Sequence, residues 1–245
     1  MRRFIRMLLL LVLPVTACTF EFQTFPQGQT ETPASSPAPA ADAPAIAQAL
    51  EGAEITYKGI RFRLDPALGS RLYVYDEVLT LERATAHYTR FGLNPEEYCQ
   101  TWCLMVYPVA EFEQAFGSFI FPPGGYRGGA AIVFKAQEKA LAFQNGSGER
   151  ALETFGQDIY GVINESLKYA FRGYSADKQY GVYVQVPTRA ASLPDAAPTM
   201  TTDIQALDQY NRQASESMNV LTPGDFTTSL DLLDALVASI RVETP

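Results

Sequence analysis

From Glu51 onward, apolar and polar residues alternate in several short runs. Ile60-Arg61-Phe62-Arg63-Leu64 sets Ile60, Phe62 and Leu64 on one face of a strand and two arginines on the other. Lys58-Gly59 just before it predicts a turn, with Ile55-Thr56-Tyr57 as the partner strand. Arg71 to Tyr75 and Thr85 to Leu93 are rich in aromatic and β-branched residues and suit strands. Leu104 to Tyr107 is apolar on both faces, the pattern of a strand in the middle of a sheet. Ala140 to Phe143 reads as extended, and Asn145-Gly146-Ser147-Gly148 as a turn. Leu167, Tyr169 and Phe171 alternate with Lys168, Ala170 and Arg172. Val182, Val184 and Val186 alternate after them, and Ser175 to Lys178 joins the two runs into a hairpin.

Elsewhere the apolar spacing widens to that of a helix. Val109, Phe112 and Phe116 follow Pro108, and proline is favourable at a helix start. Ile204, Leu207, Ala214, Met218 and Leu221 fall on one stripe, and Thr202 with Gln205 three residues on resembles a capping box. Pro223-Gly224 ends that helix. Leu230, Leu233, Val237 and Ile240 mark another, running toward a last short strand at Ser239 to Val242. Strands joined mainly by hairpins, with a few packing helices, predict an α+β fold around an antiparallel sheet. No internal repeat is visible.

The first fifty residues follow neither period. Arg2, Arg3 and Arg6 precede an apolar run from Met7 to Val15, and small or modest residues lead to Cys18. Charge, greasy core and small-residue cleavage site make a signal peptide over residues 1–17. The apolar run is about half the ~20 residues that a membrane-spanning helix needs, and Pro14 interrupts it. Residues 18–50 are rich in Pro, Ala, Ser and Thr, and cannot bury enough apolar area to offset their ordering entropy. They read as a spacer ahead of one globular domain over residues 51–245.

Charge and cysteine usage narrow the function classes. The formal charge is −8; losing Arg2, Arg3 and Arg6 takes it to −11, because residues 1–17 hold no Asp or Glu. Such a chain is not drawn to nucleic acid or to anionic lipid surfaces by its overall charge. Of the three cysteines, Cys99 and Cys103 lie four apart. In an extended strand their Cα atoms would be ~13 Å apart, too far to bridge. A helical turn or tight loop would bring them into disulfide range, and two buried thiols are the competing reading. With no histidine nearby they are half a zinc ligand set, so neither a metal nor a cofactor is expected.

Most catalytic constellations are missing. His87 is the single histidine, so any Ser-His-Asp or Cys-His system would have to use it. On a strand it shares a face with Thr89, Phe91 and Leu93, as a satisfied structural histidine would. The Asn145–Gly148 run lacks the Gly-Lys-Ser/Thr ending of a phosphate loop. Carboxylates such as Glu96, Glu97, Asp158 and Asp177 could pair for glycoside hydrolysis only if the fold brought them together. Phe121, Tyr126 and Arg127 stand on the Gly/Pro-rich loop Phe121–Gly129, and aromatic and Arg side chains are favoured at binding hot spots.

Val15-Thr16-Ala17-Cys18 resembles the lipobox of bacterial lipoproteins. That resemblance implies that Cys18 becomes the acylated N-terminus and anchors the chain to a membrane outside the cytoplasm. Tyr57-Lys58-Gly59-Ile60-Arg61-Phe62, Val106-Tyr107-Pro108-Val109, Phe143 to Arg150 and Leu233 to Ile240 resemble, in the same order, blocks of uncharacterised lipoproteins from filamentous bacteria such as Chloroflexi. That family brings no activity and no functional residue beyond the lipobox cysteine, and Cys99 and Cys103 depart from its pattern. More loosely, the Gly-Ile-Arg-Phe hairpin and the closing helix and strand are similar to the photosystem II extrinsic P subunit fold, whose members are usually accessory or binding modules. Together these features predict a lipid-anchored envelope module that binds a partner protein or a small ligand. An envelope hydrolase with paired carboxylates and a purely structural spacer are the alternatives.

Overall fold

The computed structural model describes residues 48–51, 53–81, 84–94, 102–116, 131–156, 160–196 and 203–243. The strands are β1 (Gln48–Glu51), β2 (Glu54–Tyr57), β3 (Ile60–Arg63), β4 (Arg71–Leu81), β5 (Ala84–Gly92) and β6 (Cys103–Pro108). Helix α1 (Val109–Phe116) precedes β7 (Ala131–Phe143), β8 (Gly146–Gly156), β9 (Lys168–Ser175), β10 (Tyr180–Pro187) and β11 (Arg189–Ala190). The chain closes with α2 (Ile204–Asn219), a 3₁₀ turn (Pro223–Asp225), β12 (Phe226–Thr227), α3 (Leu230–Ser239) and β13 (Arg241–Val242). The fold is α+β, as the alternation predicts.

Eight strands form one antiparallel sheet in the order β1-β4-β5-β6-β10-β9-β8-β7. It is two meanders fused where β6 meets β10, with Val106 opposite Val182. The central place of β6 explains its lack of a polar face. A small sheet, β13-β3-β2, lies apart from it, and β11 pairs with β12.

Each face of the large sheet has its own cover. On the first face Leu72, Val74, Phe91, Leu104, Leu152, Phe171 and Val184 join one core. Ile55, Ile60 and Phe62 of the small sheet, Met218 of α2 and Leu230, Leu233 and Val237 of α3 complete it. Burying such an aliphatic side chain is worth roughly 1.5–3 kcal/mol, so this face carries most of the folding energy. On the second face Tyr88, Met105, Tyr107 and Tyr183 pack with Phe112 of α1. Gly181 lies under the Tyr107 ring, where a Cβ would sit 2.2 Å from Tyr107 Cζ.

Several expectations shift by a residue or more. The turn after β7 is Gln144-Asn145, and Gly146 and Gly148 already belong to β8, which passes so close to β9 that a Cβ on Gly148 would meet the Arg172 carbonyl. The α2 cap is Asp203, whose carboxylate accepts from the Gln205 and Ala206 N–H groups; Thr202 lies outside the described residues. A carboxylate at this position also matches the helix dipole. Ile204 is 63 % exposed, because the stripe that α2 buries starts later, at Asn211, Ala214 and Met218. Asn211 anchors it by accepting from the Val162 N–H (2.9 Å) and donating to the Tyr160 carbonyl (3.0 Å).

Polar contacts fix the helices on the sheet. Gln137, at a bulge in β7 with φ of 54°, donates its side-chain amide to the Met218 and Leu221 carbonyls and so ends α2. Buried Arg150 reaches Asp234 of α3 through Nε (3.3 Å) and Nη2 (3.4 Å). Tyr169 (3.0 Å) and Lys139 (2.9 Å) donate to the same carboxylate. Among the described residues no helix is long and apolar enough to cross a membrane.

Candidate functional site

The site begins with the alternation in the β2–β3 hairpin. Lys58 and Gly59 both have positive φ (44° and 77°), the geometry of the tight turn whose twist matches a hairpin. Ile55, Ile60 and Phe62 therefore point into the core, and Glu54, Thr56, Arg61 and Arg63 take the outer face. The register sets Glu54 opposite Arg63 and Thr56 opposite Arg61. On the other side β13 sets Arg241 opposite Arg61.

Two like charges directly across a strand pair repel. Glu243 relieves them: Arg61 Nη2 donates to its Oε2 (2.7 Å) and Arg241 Nε to its Oε1 (2.6 Å). Partial desolvation pushes the Glu243 carboxyl up, but the two guanidiniums outweigh it and hold the group below the usual carboxylate range. Arg61 and Arg241 thus already clasp one carboxylate, in the manner in which arginine recognises carboxylates and phosphates.

The surrounding frame is tied down by hydrogen bonds. Gln144 donates its backbone N–H to the Ile240 carbonyl (2.9 Å) and its side-chain amide to the Ser239 carbonyl (3.0 Å). Asn145 accepts from the Val242 N–H (3.1 Å) and donates back to its carbonyl. Ser239 Oγ accepts from the Arg63 N–H (2.9 Å) and donates to the Leu236 carbonyl (2.7 Å). The result is a groove of about 470 Å³ lined by Ala53, Glu54, Arg61, Phe62, Arg63, Gln144, Ser239 and Arg241. That volume suits a small organic ligand.

Arg63 and Glu54 stand apart within the groove. They are cross-strand neighbours, yet no ion pair or hydrogen bond joins their charged ends to each other or to any other described residue. Three guanidiniums, Arg61, Arg63 and Arg241, face two carboxylates, Glu54 and Glu243, so the groove is locally positive in a chain of charge −8.

A second concentration of charge lies on the second face of the large sheet. The registers run Tyr75, Arg90, Met105, Tyr183 and Arg172 in a row across β4, β5, β6, β10 and β9. Arg90 donates to Glu77 through Nε (2.8 Å) and Nη2 (2.5 Å) and lies 4.1 Å over the Tyr75 ring. Arg172 grips Glu153 with two bonds (2.8 and 2.7 Å) and faces the Tyr183 ring at 5.3 Å. Glu153 is wholly buried. These arginines already have internal carboxylates and stacked rings, which makes them packing elements.

The residues singled out from the sequence fall elsewhere. Cys18, Cys99, Phe121, Tyr126 and Arg127 lie outside the described residues, as do Glu96, Glu97 and Asp158. Cys103 is buried in β6 and disulfide-bonded, its partner outside the described residues. Asp177 shapes the β9–β10 turn, accepting from Ser175 Oγ (2.6 Å) and the Gln179 N–H (3.0 Å). His87 is not packed in the core: its ring is 67 % exposed and pairs with Glu111 of α1, which also accepts from the His87 N–H at 2.9 Å. Among the described residues no three His, Cys, Asp or Glu side chains gather as a metal site. The outward Arg61 and Arg63 are legible from alternation, but Arg241 and Glu243 have no local signal, because only strand pairing brings them 180 residues back to β3.

No protein-family model, no curated protein and no solved structure matches the chain.

Proposed function

We propose that this protein is a lipid-anchored, non-catalytic binding module of a bacterial cell envelope, and that its groove takes a ligand bearing a carboxylate or phosphate. The N-terminal residue pattern supports the anchor and the location. The ligand class rests on one observation: three arginines line a groove of small-molecule size in an acidic chain, and two of them already hold the carboxylate of Glu243. Arginine is the side chain best matched to such anions. The clasp on Glu243 displays the kind of anion these guanidiniums are placed to hold, and Arg63 beside them adds an exposed guanidinium with no partner among the described residues.

Titration calorimetry of the full-length lipidated protein in detergent, with succinate and inorganic phosphate as probes, tests the ligand class. One or both bind, and Arg63→Ala with Arg241→Ala weakens binding at least ten-fold. Absence of binding by both probes, or equal binding by the double variant, removes the groove as the site. Radiolabelled palmitate tests the anchor: it enters the wild type and not Cys18→Ala, and equal labelling of the two would refute lipidation there.

A further inference from the structure

We propose that the ligand of this groove is a zwitterion: a molecule whose carboxylate or phosphate meets Arg63 and whose ammonium, a few ångströms away, meets Glu54. The inference rests on the groove being the binding site, and adds the charge pattern of what fills it. Its basis is the charge left over once internal pairing is complete. Arg61 and Arg241 share Glu243, so that trio is largely self-satisfied. Of the groove's lining, the charges with no partner among the described residues are one guanidinium, Arg63, and one carboxylate, Glu54.

Their placement is specific. In an antiparallel pair, directly opposed residues have Cβ atoms about 4.5–5.5 Å apart, close enough for opposite charges to pair. Glu54 and Arg63 are so opposed, both are exposed, and both line the groove, yet they do not pair. The backbone of Arg63 is fixed by Ser239, which accepts its N–H and lies in the same lining. A zwitterion lying across β2 and β3 bridges the two charges. A simple anion gains Arg63 but meets the repulsion of Glu54, so Glu54 is the specificity-determining residue.

This chemistry has two natural sources, an amino acid or unblocked peptide and a phosphoethanolamine headgroup. Titration of the full-length protein with alanyl-alanine, its N-acetyl analogue, O-phosphoethanolamine and succinate separates them. The zwitterionic probe that matches the natural ligand binds at least ten-fold more tightly than succinate and than N-acetyl-alanyl-alanine. Glu54→Gln abolishes that preference, and Arg63→Gln weakens every probe. Both substitutions are at exposed positions, so the variants fold, as an unchanged melting temperature verifies. If the N-acetyl peptide or succinate binds as well as the zwitterions, and Glu54→Gln tightens it, the zwitterion proposal is overturned while the anion groove stands. If no probe binds, both fall.

Discussion

The second face of the large sheet and the outer face of the small sheet are built from the same pieces, arginines beside carboxylates on neighbouring strands. They differ in what closes over them. On the large sheet Glu153 is wholly buried and Arg172 meets it with a two-pronged bond. On the small sheet Arg61 and Arg241 are each more than two-fifths exposed, and Arg63 has no partner among the described residues. A buried charge must be matched internally or the fold does not form; an exposed one can wait for a ligand. Charge density alone therefore does not mark a binding site. Unmatched, accessible charge on a fixed frame does.

Unmatching the buried charges costs the fold most. Asp234→Ala leaves Arg150 buried without its carboxylate and releases α3 from the sheet. The expected loss is about 3–5 kcal/mol, read as a lower denaturation midpoint at unchanged slope. Glu153→Leu strands Arg172 in the same way. Adding Arg172→Leu restores much of the loss, since a well-packed apolar pair often equals a buried ion pair. If the double variant is as unstable as the single one, the pair does more than satisfy itself.

A change of shape on the second face comes next. Gly181→Ala sets a methyl group 2.2 Å from Tyr107 Cζ, inside the closely packed contact with Phe112. Overpacking of this kind costs about 1–3 kcal/mol. Succinate binding in the groove stays as in the wild type, because Gly181 is on the other side of the large sheet from the small one.

The groove reverses that order of effects. Arg63→Ala removes an exposed side chain with no partner among the described residues, so stability moves by no more than about 0.5 kcal/mol while ligand affinity drops at least ten-fold. A large fall in melting temperature with affinity intact would turn the assignment around and make Arg63 a structural residue.

The two surfaces also differ in how far the sequence reveals them. Alternation in Ile60–Leu64 and in the β9–β10 hairpin is enough for strands and turn, because one face of each is apolar; the observed turns are Lys58-Gly59 and residues 176–179, one residue on from the expected Ser175 to Lys178. β8 is not legible in this way: Arg150, Glu153 and Thr154 are buried in it, so its polar residues hide the pattern of an interior strand. They are tolerated only because Asp234 and Arg172, far away in sequence, supply the matching charges. The site is half visible in the sequence for a similar reason. Arg61 and Arg63 stand outward by local rule, whereas Arg241, Glu243 and Gln144 reach them through long-range pairing alone.

A milder change is available at Asp76, which ties the small sheet to the large one. Its carboxylate accepts from Tyr57 (2.9 Å), Lys58 (2.5 Å) and Thr89 (3.1 Å), linking the β2–β3 turn to β4 and β5. Burial alone would raise its pKa, but those hydrogen bonds and the Lys58 charge win and hold it below the usual 3.8. A carboxyl that is more acidic folded than unfolded adds stability that is complete above the unfolded value and fades as pH falls through the folded one. The side chain is 40 % exposed, so solvent screens much of the gain. Asp76→Asn therefore leaves neutral-pH stability nearly unchanged and flattens the fall in melting temperature below about pH 4. An acid limb identical to the wild type's would show that the hairpin is held by Ile55, Ile60 and Phe62 alone, and that the groove's frame owes nothing to this contact.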